Sequence, residues 1–384
     1  MRPFALVVLL CFGCRDVVTG EFERAKTLAL ARSGPAPEGW RPDVTVRIAT
    51  GEIERIARAE IDAALRGWGG EVPVPLPFGL NAAARPELVV SSIEVEPDPS
   101  CDACFRVALG FEGRLVAKSV LWLAIPVQGG AAGIVEVRSD ARIMRLTLRS
   151  LGQPHFAVAG VDSSTVVSSE RLTAWVEAAL PSSLLDVPLV RLDDPALPLR
   201  DLRVRADGDG VVVEALSDVA SPGALPPTLP HGVGVSVAVA PDTLLAVARR
   251  HSFNAPLQDG STVIEPISLQ VSGARFTVGI RLWHPNGWRG WWREYDLSGA
   301  ISVRDGRVTV ASDALVDGAR SGCARAVDPV AALAEGYLAD VLVAGATRTW
   351  DAMFPVGPRG HAVTLRSVAG VEGAVVLDGD FSAW

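Results

Sequence analysis

Val44-Thr45-Val46-Arg47-Ile48 alternates apolar with polar and runs directly into Glu52 to Trp68, where Ile53, Ile56, Ala57, Ile61, Ala64, Leu65 and Trp68 recur at helical spacing. Alternation marks a half-buried strand, and a stripe at i, i+3, i+4 marks a helix with one apolar face. The same entrance returns later in the chain. Val233-Gly234-Val235-Ser236-Val237 alternates, and Pro241-Asp242 opens a helix through Leu244, Leu245 and Ala248, with proline at a position where its missing N–H costs nothing. A strand feeding a helix, met twice, decides the fold reading.

Outward from each entrance the order of elements is also the same. In the first unit, strand patterns cover Glu87 to Glu96, Phe105 to Phe111, Arg114 to Pro126 and Gly133 to Leu148. A helix follows over Ser169 to Leu180, with Leu172, Trp175, Val176 and Ala179 on one face, and a hairpin Leu199 to Ala206 and Val211 to Leu216 turns on Asp207-Gly208-Asp209-Gly210. In the second unit the strands are Val263 to Val271, Ala274 to Trp283, Trp291 to Val303 and Arg307 to Ser312, with Asp305-Gly306 a strong hairpin turn. Its second helix begins at Asp328-Pro329 and carries Val330, Leu333, Ala334, Tyr337, Leu338 and Val341 on one face; a hairpin of Thr364 to Ser367 and Ala374 to Leu377 ends it. Residues 217–230 hold four prolines and no periodicity, which reads as an extended linker. The expected fold class is therefore α+β, two tandem units over 44–216 and 231–384 as an internal repeat. A chain of 384 residues exceeds the size at which one core stops growing, which agrees with two units.

With 49% apolar and 21% charged residues, disorder is excluded. The net charge of -8, with no basic stripe, argues against nucleic acid as a partner. Arg2, the apolar run Phe4 to Leu10 and Gly13-Cys14 resemble the signal and lipobox of bacterial lipoproteins, although Cys11 stands where leucine is usual and Phe12 is bulky. The resemblance implies that residues 1–14 are a signal peptide with lipobox and that Cys14 is lipidated; Arg15 after it would favour the outer membrane, facing the periplasm or the surface. Ordinary secretion is the alternative. Residues 15–43, partly helical around Glu21 to Ala31, are expected to be a tether. No later stretch reaches the roughly 18 to 20 apolar residues of a membrane span. Export favours a disulfide between Cys101 and Cys104, which lie in a turn cluster rather than at the strand-to-helix junction of a redox pair. One C-x-x-C with no second pair is too few ligands for zinc, and Cys323 reads as a buried small residue.

The arrangement resembles the tubular lipid-binding superfamily, in its bactericidal/permeability-increasing-protein-like form, across Val44 to Trp68, Ser169 to Leu180, Ser217 to Pro230, Val233 to Ser252 and Asp328 to Gly345. It rests on the order of elements, not on a motif. The resemblance implies an elongated molecule, each half a highly twisted antiparallel sheet wrapped against long helices, with a lipid or other hydrophobic molecule between helix and sheet. Carried over position by position, Ile53, Ile56, Ile61 and Leu65 would line the first slot and Val330, Leu333, Tyr337 and Val341 the second. The alternative for each is plain core packing, since interiors are normally filled. Two departures stand out. A Cys101 to Cys104 bridge is local where the eukaryotic members bridge distant parts of one half, and no cationic tip suggests endotoxin neutralisation.

A separate feature is Trp283-His284-Pro285-Asn286-Gly287-Trp288-Arg289-Gly290-Trp291-Trp292-Arg293, where a turn gathers tryptophans at one hairpin end. Trp283, Trp288, Trp291, Trp292 and Arg293 suit a membrane interface or a protein contact; equally, alternate tryptophans face the core. The sequence shows no G-x-S-x-G elbow, H-E-x-x-H, P-loop or nucleotide-binding glycine motif, so no enzyme and no cofactor are expected. Two function classes follow. One is an envelope-anchored binding or transfer protein for lipids or other hydrophobic molecules; the other is a non-enzymatic envelope scaffold recruiting a protein through hairpin 283–293.

Overall fold

The computed structural model describes residues 17–67, 72–75, 81–117, 123–139, 143–152, 155–158, 161–162, 186–191, 199–219, 234–254, 262–285, 290–321, 348–356, 361–371 and 373–383. The first half begins with helix α1 (17–30), then β1 (Val44–Ala49), α2 (Thr50–Gly67), β2 (Val72–Pro75), β3 (Asn81–Pro97) and β4 (Cys104–Ala117). It continues through β5 (Leu123–Ser139), β6 (Ile143–Leu151), β7 (His155–Val158), β8 (Val161–Asp162), β9 (Asp186–Arg191), β10 (Leu199–Asp207) and β11 (Gly210–Ser217). The second half holds β12 (Val235–Val239), α3 (Pro241–Asn254), β13 (Val263–Ser272), β14 (Arg275–His284), β15 (Trp291–Arg304) and β16 (Arg307–Arg320). It closes with β17 (Arg348–Asp351), β18 (Met353–Val356), β19 (His361–Val371) and β20 (Ala374–Ala383).

Every strand pairing described is antiparallel, and the strands form three sheets. A 7-stranded sheet in the order β10-β11-β1-β12-β20-β19-β18 is built from both halves. At its centre the two opening strands pair with one another, Val44 against Val239, Val46 against Val237 and Ile48 against Val235. On either side, each opening strand pairs with the last strand of its own half, β1 with β11 and β12 with β20. The halves are thus joined by a shared sheet as well as by the linker, of which 220–230 lie outside the described residues. β4 and β5 lean on the β10 flank of this sheet, and β13 and β15 lean on the β19 flank. β11, Gly-Val-Val-Val-Glu-Ala-Leu-Ser, is buried along nearly its whole length because it is covered on both faces, which explains a continuous apolar run where one-sided strands alternate.

The remaining strands form an 8-stranded sheet along β2-β3-β4-β5-β6-β9, with β7 and β8 beside β5, and a 5-stranded sheet β13-β14-β15-β16-β17. Asp305 and Gly306 both adopt left-handed backbone (φ 52° and 71°), the geometry of a two-residue hairpin turn between β15 and β16. Two expectations change. Strand bounds in the first half shift: the residues expected as one strand over Arg114 to Pro126 fall at the end of β4 and the start of β5, those over Gly133 to Leu148 fall in β5 and β6, and β4 runs through Gly113, which pairs with Leu88 and where a side chain would collide with the Glu87 carbonyl. The glycine marks a close backbone approach inside a strand rather than a turn. The long helices expected to wrap each sheet reduce, among the described residues, to one opening helix per half, α2 of 18 and α3 of 14 residues. The second helices, expected at 169–180 and 328–345, lie outside the described residues.

Residues 17–43, expected as most of a partly helical tether, are packed on the body. Val18 and Phe22 of α1 are buried with Phe253, Val263 and Trp283 of the second half. Trp40 is buried on the first half, its Nε1 donating to Asp201 at 2.8 Å and its ring 4.1 Å beneath the Arg203 guanidinium. Asp43, fully buried just before β1, accepts hydrogen bonds from the Ser217 backbone N–H (2.8 Å), the Ser217 hydroxyl and the Thr243 hydroxyl (3.0 Å). One carboxylate therefore ties the start of β1, the end of β11 and the first turn of α3 together. Three donors are what a buried carboxylate requires to offset its lost hydration.

Candidate functional site

The apolar face of α2 lies over one face of the 8-stranded sheet, beside β3. Ile53, Ala57, Ile61 and Leu65 pack against Val90, Ile93, Val95, Phe105 and Val137 of that sheet and against Val211 and Val213 of the shared one. Val90, Ile93, Val95, Phe105 and Val137 are buried, Phe105 to 1% exposure, whereas all four helix residues remain half-buried, as do Val107, Leu109 and Val135 of the sheet. Ile56 does not join them. It turns to Ile48 and Val235 over the shared sheet, because one residue's shift along a helix rotates the side chain by about 100°. Of the four residues expected to line the first slot, the structure therefore brings together Ile53, Ile61 and Leu65. Val330, Leu333, Tyr337 and Val341, expected for the second slot, lie outside the described residues.

What holds α2 in place is polar. Among the described residues β2 covers β3 only at Asn81 to Ala84, and no other strand pairs with the outward N–H and C=O groups farther along β3. Glu54 accepts from the Val95 N–H at 3.0 Å, Asp62 accepts from the Val90 N–H at 2.8 Å, and Arg58 between them donates to the Val90 and Ser91 carbonyls at 3.3 and 3.4 Å. These three side chains, four residues apart, form one line along the helix and close the edge of the sheet, which answers the backbone's obligatory hydrogen bonding.

The second half repeats this contact in detail. Arg249 of α3 donates from Nε to the Pro266 carbonyl at 2.7 Å and from Nη2 to the Ile267 carbonyl at 3.0 Å. Arg58 and Arg249 are each the ninth residue of their helix, in Ile56-Ala57-Arg58 and Val247-Ala248-Arg249. Each reaches a β-bulge in the first long strand of its sheet, where Ser91 and Ile267 are the extra residues. Past each bulge a serine faces a glycine, Ser92 opposite Gly110 and Ser268 opposite Gly279, and a side chain on either glycine would collide with that serine hydroxyl. None of these residues was singled out from the sequence, although the matched Ala-Arg steps were there to be seen.

The tryptophan hairpin faces inward at its strands. Trp283 is fully buried, donates from Nε1 to Glu265 at 2.7 Å, and meets Phe22 edge-on at 5.7 Å. Its cross-strand partner Trp292 donates from Nε1 to Glu21 of α1 at 2.8 Å. The Arg281 guanidinium lies over both indoles, 5.2 and 4.8 Å from their centroids, and is held by Glu294. Trp291 points to the opposite face, as strand alternation demands, half-buried and stacked on His284 at 5.6 Å. Arg293 is buried to 4% exposure beside Tyr295. A membrane or partner surface made of Trp283 and Arg293 is thus corrected: pairing of β14 with β15 turns Trp283 under α1 and Arg293 into the opposite, apolar face of the sheet. Trp288, like Cys14 and Cys323, lies outside the described residues.

Cys101 and Cys104 are disulfide-bonded in the turn between β3 and β4, with Cα atoms 5.1 Å apart. The turn docks on the rest of the first half, since Asp102 and Ala103 carbonyls accept from Ala206 (2.6 Å) of β10 and Val137 (3.0 Å) of β5. Asp98, at the same turn, has its carboxyl held below the usual carboxylate value by hydrogen bonds from the Ser100 side chain and backbone and by Arg106. Among the described residues, no three His, Cys, Asp or Glu side chains are grouped to hold a metal, and no helix is long and apolar enough to cross a membrane.

No family model and no curated protein matches the chain. Among solved structures it is similar to a lipopolysaccharide binding protein, with TM-score 0.43 and 10% identity over 90% of this chain and 100% of that one. It is also similar to P47 of Clostridium botulinum E1, with TM-score 0.38 and 8% identity over 89% of this chain and 100% of that one. Likenesses this distant carry no argument, and what the chain does has to be read from its own geometry.

Proposed function

We propose that this chain is a non-catalytic envelope protein, built from two copies of one unit, that binds or transfers lipids or other hydrophobic molecules between helix and sheet. We read it as exported and anchored through an acylated Cys14, at the outer membrane. The observation that carries the binding reading is the uneven burial under α2. The sheet's Val90, Ile93, Val95 and Phe105 are buried, yet Ile53, Ile61 and Leu65 above them keep part of their apolar surface uncovered. A helix pinned by Glu54, Arg58 and Asp62 to the sheet's edge need not sink into its centre, so its inner face stays available. Eighteen residues of helix run about 27 Å, the length of an extended acyl chain. Each methylene removed from water there contributes about 0.8 kcal/mol, enough for tight binding with little chemical specificity. The duplication is supported by the matched arginine, bulge, serine and glycine in both halves. The scaffold reading loses ground with Trp283 and Arg293 buried, since neither can reach a partner while the hairpin is folded.

The test is the mass of the soluble form, with Cys14 replaced by serine behind a cleavable signal, measured under native conditions. Co-purified phospholipid or fatty acid, lost on delipidation and regained on exposure to vesicles, is the expected result. A clean polypeptide mass that no lipid changes would overturn the reading.

A further inference from the structure

We propose that the outer tip of the second half, where the first turn of α1 meets the paired ends of β14 and β15, is held against the membrane's lipid surface, with the α2 slot on the far flank. The inference rests on the reading of Cys14 as the acylated residue, and its ground is the direction in which α1 runs. At its start, Val18 and Phe22 touch Phe253, Val263 and Trp283, and Glu21 takes the Trp292 indole proton. Phe253 ends α3, Val263 opens β13, and Trp283 and Trp292 lie at the adjoining ends of β14 and β15. These residues lie at the ends of β13, β14 and β15 opposite to those that reach the shared sheet, where Gly273, between β13 and β14, pairs with Gly370 of β19. At the other end of α1, the Ala31 carbonyl accepts from Arg250 at 3.1 Å, and the Ser33 hydroxyl donates to the Val219 carbonyl beside the exit of β11. α1 therefore runs back along α3, from the tip towards the shared sheet, and residue 17 is at the tip.

Chain length then fixes the distance to the membrane. A flexible tether of residues 15–43 would let the body roam roughly 30 Å from its anchor. With α1 docked, only the steps from Cys14 to Val17 remain, at most about 11 Å when fully extended. That reach is comparable to the headgroup layer of one leaflet, about 5 to 8 Å thick, so an acyl group in the bilayer brings the tip into the interface. The chemistry of the tip suits that layer. Trp291 and His284 form a half-buried aromatic stack there, Trp292 is half-buried, and Val17 is 55% exposed. Aromatic rings with a polar edge favour the headgroup level. The 8-stranded sheet carrying α2 leans on the opposite flank of the shared sheet, away from this end.

The experiment is hydrogen exchange on the full-length acylated protein, in vesicles of phosphatidylethanolamine and phosphatidylglycerol and again after release into detergent. On vesicles, exchange should slow at least tenfold in 17–22, 253–254, 262–263 and 290–292, with no change in 87–96 and 104–112. A ten-residue Gly/Ser spacer inserted between Asp16 and Val17 should remove that protection while leaving the thermal midpoint unchanged. Protection confined to the first half, protection nowhere on acylated protein, or protection that survives the spacer would each overturn the proposal. Mass analysis of the N-terminal peptide separates this from failure of the anchor itself: acylated protein without tip protection sinks the orientation alone, and absence of an acyl adduct on Cys14 sinks both. The bound-lipid reading is untouched by either outcome, since it is measured on the soluble form.

Discussion

Arg58 and Arg249 perform one task at matched places, and their geometry ranks them. Arg249 makes two well-formed bonds to carbonyls at 2.7 and 3.0 Å, and Arg58 makes two long ones at 3.3 and 3.4 Å. Replacing Arg249 by alanine is expected to cost about 1 to 2 kcal/mol in a denaturant titration and replacing Arg58 less than about 1, because Arg249 makes the shorter bonds and its Nε also lies 3.6 Å from the buried Glu265 carboxylate. Equal losses would show that the edge contact is not what the arginines supply. Asp98 gives a prediction in pH. Its carboxyl titrates below the ordinary value of 3.8, chiefly because Ser100 donates to the ionised form. A depressed carboxylate stabilises the fold fully above that value and ceases to do so as pH falls through its own lower one. The gap in thermal midpoint between the parent and Asp98→Asn should accordingly be open at pH 6 and close towards pH 2; a gap that ignores pH would refute the linkage. At this scale the sequence was partly legible. The pairing of Cys101 with Cys104 could be read from a turn-rich C-x-x-C, whereas Trp283 and Arg293 could not be assigned to a face until the register of β14 on β15 was known, since one residue's slip exchanges inside for outside.

Individual elements were legible where local chemistry decides them. Asp305-Gly306, the Asp207 to Gly210 turn and the stripe of α2 all follow from backbone preference and periodicity, and all are found. They failed where tertiary contact decides. Gly113 looks like punctuation until the Glu87 carbonyl of the neighbouring strand is seen against it, and α1 carries Val18, Phe22, Ala25 and Ala29 at helical spacing, which marks an apolar face but not the tryptophan cluster that it meets. Because that contact is specific, Phe22→Ala is expected to cost about 3 kcal/mol, near the lower bound for deleting a buried aromatic ring. The loss should appear in equilibrium unfolding followed by tryptophan fluorescence, to which Trp283 and Trp292 contribute among ten tryptophans. Loss below about 1 kcal/mol would mean that α1 is a loose appendage after all. For α2, Ile61→Glu places a charge on the inner face while sparing the Glu54, Arg58 and Asp62 contacts. Retained folding with at least a tenfold drop in bound lipid is the expected pattern, and unchanged lipid content would move the site elsewhere.

For the whole molecule, sequence order suggested two units, but no local signal could say that their opening strands pair with one another. Val44 to Ile48 and Val235 to Val239 are equally suited to an edge or a centre, and only their juxtaposition, Val46 against Val237, makes them the middle of a shared sheet. That arrangement predicts that cutting the chain within 222–228, at an inserted protease site, leaves the two pieces together through size exclusion without denaturant. Separation of the pieces would show that the pairing of β1 with β12 adds little. The buried Asp43 carries a further consequence, in time rather than in energy. Its partners are Ser217 and Thr243, and the strand it introduces meets Ala215 on one side and Val239 on the other. A chain synthesised from its amino end presents β1 early, yet none of these neighbours exists outside the ribosome until the first half has been made and the second has begun. Such distant closures are slow. β1 must wait, bare on both edges, and the cell is expected to need a holding chaperone in that interval.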